Sequence, residues 1–384
     1  MNKITPYSRQ SLDNNDIKSV VEVLKSDFLT QGKMVPTFET NVLKYCNSKF
    51  AVACNSATSA LHASCLSLGL GKGDIMWTSP ISFVASSNAA LYCGAEVDFI
   101  DIDIFTNNIS IEQLEEKLKN AKKNNKLPKI VMPVHMAGLS CDMKSIFKLS
   151  KKYKFKVIED ASHAIGGKYL DSKVGSCKYS DITVFSFHPV KIITSGEGGM
   201  ALTNSKQTYK KLRLFTNHGI IREKSLKLKK EQWRYRQTEL GYNYRMSDIH
   251  ASLGNSQLKR VEKFVYERNR IAEKYNNELR NLPILRPMNI KGFKSSYHLY
   301  IIKLQKEDTN LRQKIYDAFI ENNFNVQVHY LPIYYHPYYK NMNFKINLFP
   351  IANSFYKRAI SIPIFPGMKN SQIEQVIKIL KRVI

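Results

Sequence analysis

Seven short runs of β-branched and small apolar residues, each about one helix from the next, limit most strongly how this chain can fold. The first is Phe50-Ala51-Val52-Ala53-Cys54. Others follow at Asp74–Thr78, Glu96–Ile100, Lys129–Pro133 and Phe155–Ile158, then near 181–186 and 198–202. Between them, apolar residues recurring at helical spacing predict helices from Asn55 to about Leu68 and over 82–92, 110–122 and 142–152. Strands alternating with helices pack as a largely parallel sheet covered on both faces, an α/β architecture.

The flanking segments extend this reading. Helices are expected over 14–26, 36–47 with Pro36 in its first turn, and 204–216. Residues 218–238 are basic, aromatic and without a period, so a long loop is expected there, suited to an interface or a lid. A long amphipathic helix over 248–280 would bridge to a smaller α+β domain that ends in a helix over 371–382. With 384 residues the chain divides into a large domain, 1–250, and a small one, 251–384.

Two residues on this frame carry chemistry together. Asp160 follows the strand Phe155–Ile158, at the sheet edge where open α/β sheets bind ligands. Lys191 lies 31 residues later, in Ser186-Phe187-His188-Pro189-Val190-Lys191, shortly before Gly196-Glu197-Gly198-Gly199. An acid alone reads as a helix cap, and a lysine in apolar surroundings is normally avoided. As a pair they match the needs of pyridoxal phosphate. The carboxylate keeps the pyridine nitrogen protonated, and the amine holds the aldehyde carbon as a Schiff base. Burial should lower the pKa of the free amine.

Other residues fit around such a cofactor. Asn55-Ser56-Ala57-Thr58-Ser59 lies between a strand and a helix, where free amides hold an anion. Ala57 and Thr58 are the expected phosphate ligands, with Ser186 and His188 opposite. Phe83 is placed to stack on the ring, and His163 to hydrogen-bond its phenolic oxygen. Each also has an ordinary structural reading: a capping serine, a core phenylalanine, a structural histidine. Gly69-Leu70-Gly71-Lys72-Gly73 precedes a strand and reads as a turn, not a nucleotide loop.

Composition narrows the class further. The formal charge of +26 raises the question of nucleic acid. The lysines are spread over helix faces, however, with no aromatic residues interleaved as a stacking groove requires. A small anionic substrate is the better expectation. No apolar stretch reaches the roughly 20 residues of a membrane span, and no signal peptide is apparent, so a cytoplasmic location is expected. The six cysteines show no paired spacing and read as free thiols, with no disulfide frame and no metal site.

With these residues in view, the chain resembles the DegT/DnrJ/EryC1/StrS sugar aminotransferases, from Phe28-Leu29-Thr30-Gln31-Gly32 nearly to its end. The segments carrying the likeness are Asn55–Leu61, Glu159–Ala164, Val184–Lys191 with Gly196–Gly199, Gly241–Asp248 and Val326–Tyr330. The resemblance implies fold type I, with a mostly parallel seven-stranded sheet, pyridoxal 5'-phosphate as cofactor, and a homodimer with shared active sites. Lys191 would carry the cofactor, Asp160 would pair with its ring nitrogen, and His163 would lie near its phenolic oxygen. Phe83 would stack, while Ala57, Thr58 and Ser186 would form the phosphate cup. Asn243 would reach the phosphate from the other subunit. Thr30, Gln31, His329 and Tyr330 would contact the nucleotide sugar.

The implied reaction transfers the amino group of L-glutamate to C4 of UDP-2-acetamido-2,6-dideoxy-β-L-arabino-hex-4-ulose. Alternatives are a related 4-keto sugar, such as UDP-2-acetamido-2,6-dideoxy-D-xylo-4-hexulose, and a non-catalytic cofactor-binding regulator. Two departures bear on the sugar pocket. Ile192 follows Lys191 where many relatives have proline, and no proline follows Gly32.

Overall fold

The structure is a computed structural model that describes residues 4–222 and 233–384. The seven strands of its main sheet are β1 (Phe50–Cys54), β2 (Ile75–Thr78), β3 (Glu96–Phe99), β4 (Ile130–Met132), β5 (Lys156–Asp160), β6 (Ile182–Ser186) and β7 (Gly199–Thr203). They lie in the order β1-β7-β6-β5-β4-β2-β3. The ladders from β6 through β5, β4 and β2 to β3 are parallel. β7 is antiparallel to both of its neighbours, which makes the sheet mixed.

The strands are almost wholly buried. Val52, Met76, Ile130, Ile158, Val184 and Ala201 share one core under helices Ala57–Ser67 and Ala85–Tyr92. The opposite face packs Trp77, Val131 and Val157 against Leu114, Leu118 and Ile146 of helices Ile111–Lys123 and Met143–Tyr153. This two-sided burial is why the strands read as continuous apolar runs.

A second, antiparallel sheet joins β8 (Ile284–Leu285), β9 (Tyr300–Leu304) and β10 (Ala359–Ile362). Side chains on β9 alternate between two cores. Tyr300, Ile302 and Leu304 face a C-terminal core with Phe319 and Leu380, while Leu299 and Ile301 join the core of the main sheet. The N-terminal segment ties the two parts together. Thr5 pairs with Phe324, the Ile364 amide donates to Tyr7 O at 3.0 Å, and the Ser8 hydroxyl donates to Val190 O at 3.0 Å.

Two expectations are modified. The single helix over 248–280 is two helices, Asp248–Leu258 and Val261–Glu278. At the break Arg260 reaches back to Asp13, at 2.8 Å, and to Asp16. The expected loop over 218–238 lies partly outside the described residues; its ends pair as Ile220–Arg222 with Tyr235–Gln237. Among the described residues no helix is long and apolar enough to cross a membrane.

Candidate active site

The ends of β5 and β6 and the loops after β1 and β2 converge on a cavity of about 760 Å³. Ala57, Thr58, Phe83, Asp160, His163, Ser186, Lys191, His329 and Tyr330 all line it. His188 lines it too, so ten sequence-predicted residues meet here: eight from the main sheet's edge and its loops, and His329 and Tyr330 from the C-terminal part.

The anion end follows from backbone packing. Ser56 caps helix Ala57–Ser67, and its hydroxyl accepts from the Ser59 amide at 3.1 Å. The Ala57 and Thr58 amides come before any intrahelical acceptor and stay free for a ligand. Register puts Gly199 beside both Cys54 and Ser186. A Cβ on Gly199 would sit 2.5 Å from the Ala57 nitrogen and 2.5 Å from the Ser56 oxygen. Only glycine lets the helix start lie this close to β7.

Asp160 is almost fully engaged before any ligand arrives. Its Oδ1 accepts from the Ser162 amide at 3.1 Å and the Ser162 hydroxyl at 2.6 Å. Its Oδ2 accepts from the Ser86 hydroxyl at 2.6 Å, and Ser86 pairs with Ser82 at 2.6 Å. Two oxygens offer about four lone-pair sites, so one remains, on Oδ2. A protonated pyridine nitrogen would fit that position.

Lys191 faces the same cavity, and burial pushes its amine down to about 8, opposed by Asp160. Burial and the Lys191 charge hold His163 well below the ordinary imidazole range, so it is neutral. Its Nε2 lies 3.3 Å from the Tyr330 hydroxyl, and its ring centroid is 4.3 Å from that of His298. Its buried Nδ1 has no partner among the described residues. His329 is held by Ser361 at 2.9 Å, and burial, then Lys191, lower it to about 3. Phe83 is 60% exposed although it lines a cavity, which leaves a ring face open for stacking.

The free helix amides, the Gly199 contact, the open oxygen of Asp160, the exposed Phe83 ring and the low-pKa amine fit pyridoxal phosphate from end to end.

Three predicted residues lie elsewhere. Thr30 and Gln31 are exposed, and Gln31 borders a separate cavity with Arg213, Asn217 and Arg245. Asn243 runs beside the anion loop, its carbonyl accepting from Asn55 Nδ2 at 3.3 Å, but its exposed side chain does not line the cavity. Sequence reasoning missed Tyr7, Ser82, Ser86, Ser162 and the exposed Glu197. Ser162 was within reach, two positions after Asp160, where serine often turns back onto an aspartate.

The fold and cavity together define a pyridoxal phosphate-dependent aminotransferase of fold type I. The chain belongs to the DegT/DnrJ/EryC1/StrS aminotransferase family, whose model matches residues 10–381. It is 40% identical, over 93% of its length and 91% of the relative's, to UDP-4-amino-4,6-dideoxy-N-acetyl-beta-L-altrosamine transaminase of Campylobacter jejuni. Among solved structures it is similar to PseC of Helicobacter pylori, an aminotransferase of pseudoaminic acid biosynthesis. There the identity is 32%, the TM-score is 0.90 and 99% of each chain is covered. The PLP form of Spr1654 from Streptococcus pneumoniae is 26% identical with a TM-score of 0.89, covering 99% of this chain and 100% of that one.

Proposed function

We propose that the enzyme moves the amino group of L-glutamate to C4 of UDP-2-acetamido-2,6-dideoxy-β-L-arabino-hex-4-ulose. The products are 2-oxoglutarate and UDP-4-amino-4,6-dideoxy-N-acetyl-β-L-altrosamine. The observation that carries this reading is the likeness to the Campylobacter jejuni transaminase along 93% of the chain. The geometry supports the reaction type.

When bound, pyridoxal phosphate supplies an electron-accepting ring and a carbonyl that stores the amino group between half-reactions. The residues do the rest. The Ala57 and Thr58 amides with Ser186 hold the phosphate. Asp160 Oδ2 keeps the ring nitrogen protonated, and Phe83 fixes the ring plane. Lys191 Nζ, neutral in an appreciable fraction near pH 7.5, takes the α-proton of glutamate and later delivers a proton to C4 of the sugar. His163, neutral and bound to Tyr330, orients the phenolic side. His329 and Tyr330 stand at the sugar end.

The lining of this cavity, among the described residues, includes Lys191 as its one lysine, no arginine, and the carboxylates of Asp160 and Glu197. A diphosphate substrate needs cations from outside it. This supports a homodimer in which a second copy completes the site, with Asn243 and the Thr30-Gln31 loop as the reaching elements.

The test is side-by-side turnover of the L-arabino and D-xylo 4-keto sugars with L-glutamate. Preference for the L-arabino sugar is expected. Equal or better turnover of the D-configured sugar would overturn the assignment and leave the transamination intact.

A further inference from the structure

Lys303 sits on β9 between Ile302 and Leu304, on the face it shares with Leu299 and Ile301. It therefore points toward the main sheet from an otherwise apolar face, and it is 3% exposed. Its ammonium donates to Ile104 O at 2.5 Å and to Asn107 Oδ1 at 2.7 Å, on the loop that follows β3. An ammonium has three N–H groups, so one is left over.

Lys303 borders a cleft of about 350 Å³, which shares no lining residue with the cavity around Lys191. The other polar side chains at its wall are Arg286, Asn276 and Asn289. Arg286 gives one nitrogen to Asn276 O and is in no ion pair among the described residues. Both amides have their oxygens turned away from the cleft's needs. Asn276 Oδ1 accepts from the Tyr300 hydroxyl at 2.6 Å, and Asn289 Oδ1 accepts from the Tyr297 hydroxyl at 3.2 Å. Their NH₂ groups are donors, and that of Asn276 also reaches the Tyr297 hydroxyl. Among the described residues no carboxylate lines the cleft. Asp103, on the same loop, accepts at Oδ1 from the Phe105 and Thr106 amides and the Thr106 hydroxyl, and its charge partly offsets that of Lys303. Two cations and two amide donors, with the acceptors already bound, form a donor-only site.

We infer that this cleft binds a phosphate group, bridging β9 to the loop after β3. Phosphate fits better than carboxylate because the wall offers more N–H groups than two carboxylate oxygens accept. Such an anion would also give Arg286 a counter-charge, since it is in no ion pair among the described residues.

The experiment is calorimetric titration of inorganic phosphate into the cofactor-loaded enzyme, whose own anion cup is filled. Wild type, Arg286→Gln and Asn289→Asp are compared, with acetate as a control ligand. Saturable phosphate binding is expected in the wild type, with weaker acetate binding. Each variant should weaken it about tenfold or more, because a charge-assisted contact is lost or a repulsive charge gained. Turnover without phosphate should be unchanged in both variants, since neither residue touches the catalytic cavity. The same phosphate affinity in all three proteins, or no saturable binding in the wild type, would overturn the inference. Both variants are partly or fully exposed, and thermal unfolding checks that they fold.

Discussion

The Ser86 hydroxyl donates to Asp160 Oδ2 at 2.6 Å, from a helix 74 positions earlier in the chain. With the two Ser162 contacts, this one leaves a single oxygen site of the carboxylate open, on Oδ2. A hydrogen bond to a charged group contributes about 1.5–3 kcal/mol. Ser86→Ala should therefore lower kcat by about 10- to 100-fold and weaken cofactor binding, with KM for glutamate little changed. Ser86→Thr, which keeps the hydroxyl, should restore most of the loss. Wild-type kcat and cofactor affinity in Ser86→Ala would refute the role.

The site was only partly legible in the sequence, and the reason is physical. Asp160 ends β5, and Lys191 lies in the loop after β6, its parallel neighbour, so topology brings them to one edge. Ser86 and Tyr7 reach the cavity through tertiary contacts that no local pattern encodes. The helix break at Arg260 was hidden for a related reason. Lys259 and Arg260 are good helix formers between apolar Leu258 and Val261. The break coincides with Arg260 holding Asp13 and Asp16, far away in sequence. The seven strands were legible because two-sided burial leaves each an unbroken apolar run.

Lys191 offers a pH test. Its pKa is lowered to about 8, chiefly by burial, so the neutral amine dominates above that value. In enzyme stripped of cofactor, the rate of covalent capture of pyridoxal phosphate should rise with pH and level off slightly above 8. A solvent lysine would keep gaining until about pH 10.4. Absorbance-monitored capture between about pH 6 and pH 10 distinguishes the two curves, and a continued climb to the upper end would reject the buried-amine reading. Lys191→Ala should cut turnover by more than about 10⁴-fold and leave no pyridoxyl adduct at position 191 after borohydride.

Gly199 predicts a steric effect. A methyl group there meets the Ser56 and Ala57 backbone at 2.5 Å, and neither atom can swing away as a side-chain tip would. Gly199→Ala should push the start of helix Ala57–Ser67 off β7, at a cost of about 1–3 kcal/mol. The displaced amides would bind phosphate less well. Cofactor dissociation constants from equilibrium dialysis should rise while circular dichroism stays native. Unchanged cofactor affinity would mean that the helix start does not hold the phosphate.

Asn243 allows the proposed shared site to be tested directly. Its backbone lies beside the anion loop of its own chain, yet its side chain is exposed and outside that chain's cavity. If it serves the site of a second copy, Lys191→Ala and Asn243→Ala damage complementary halves. A mixed dimer then has one site lacking both residues and one fully native site. Random reassociation of equal amounts makes about half the dimers mixed, so about a quarter of wild-type activity should return. Cofactor-loaded variants would be mixed under mildly dissociating conditions and assayed after recovery. If Asn243 acts within its own chain, each mixed dimer instead carries one site of each defective type, and activity stays at the mean of the two parents.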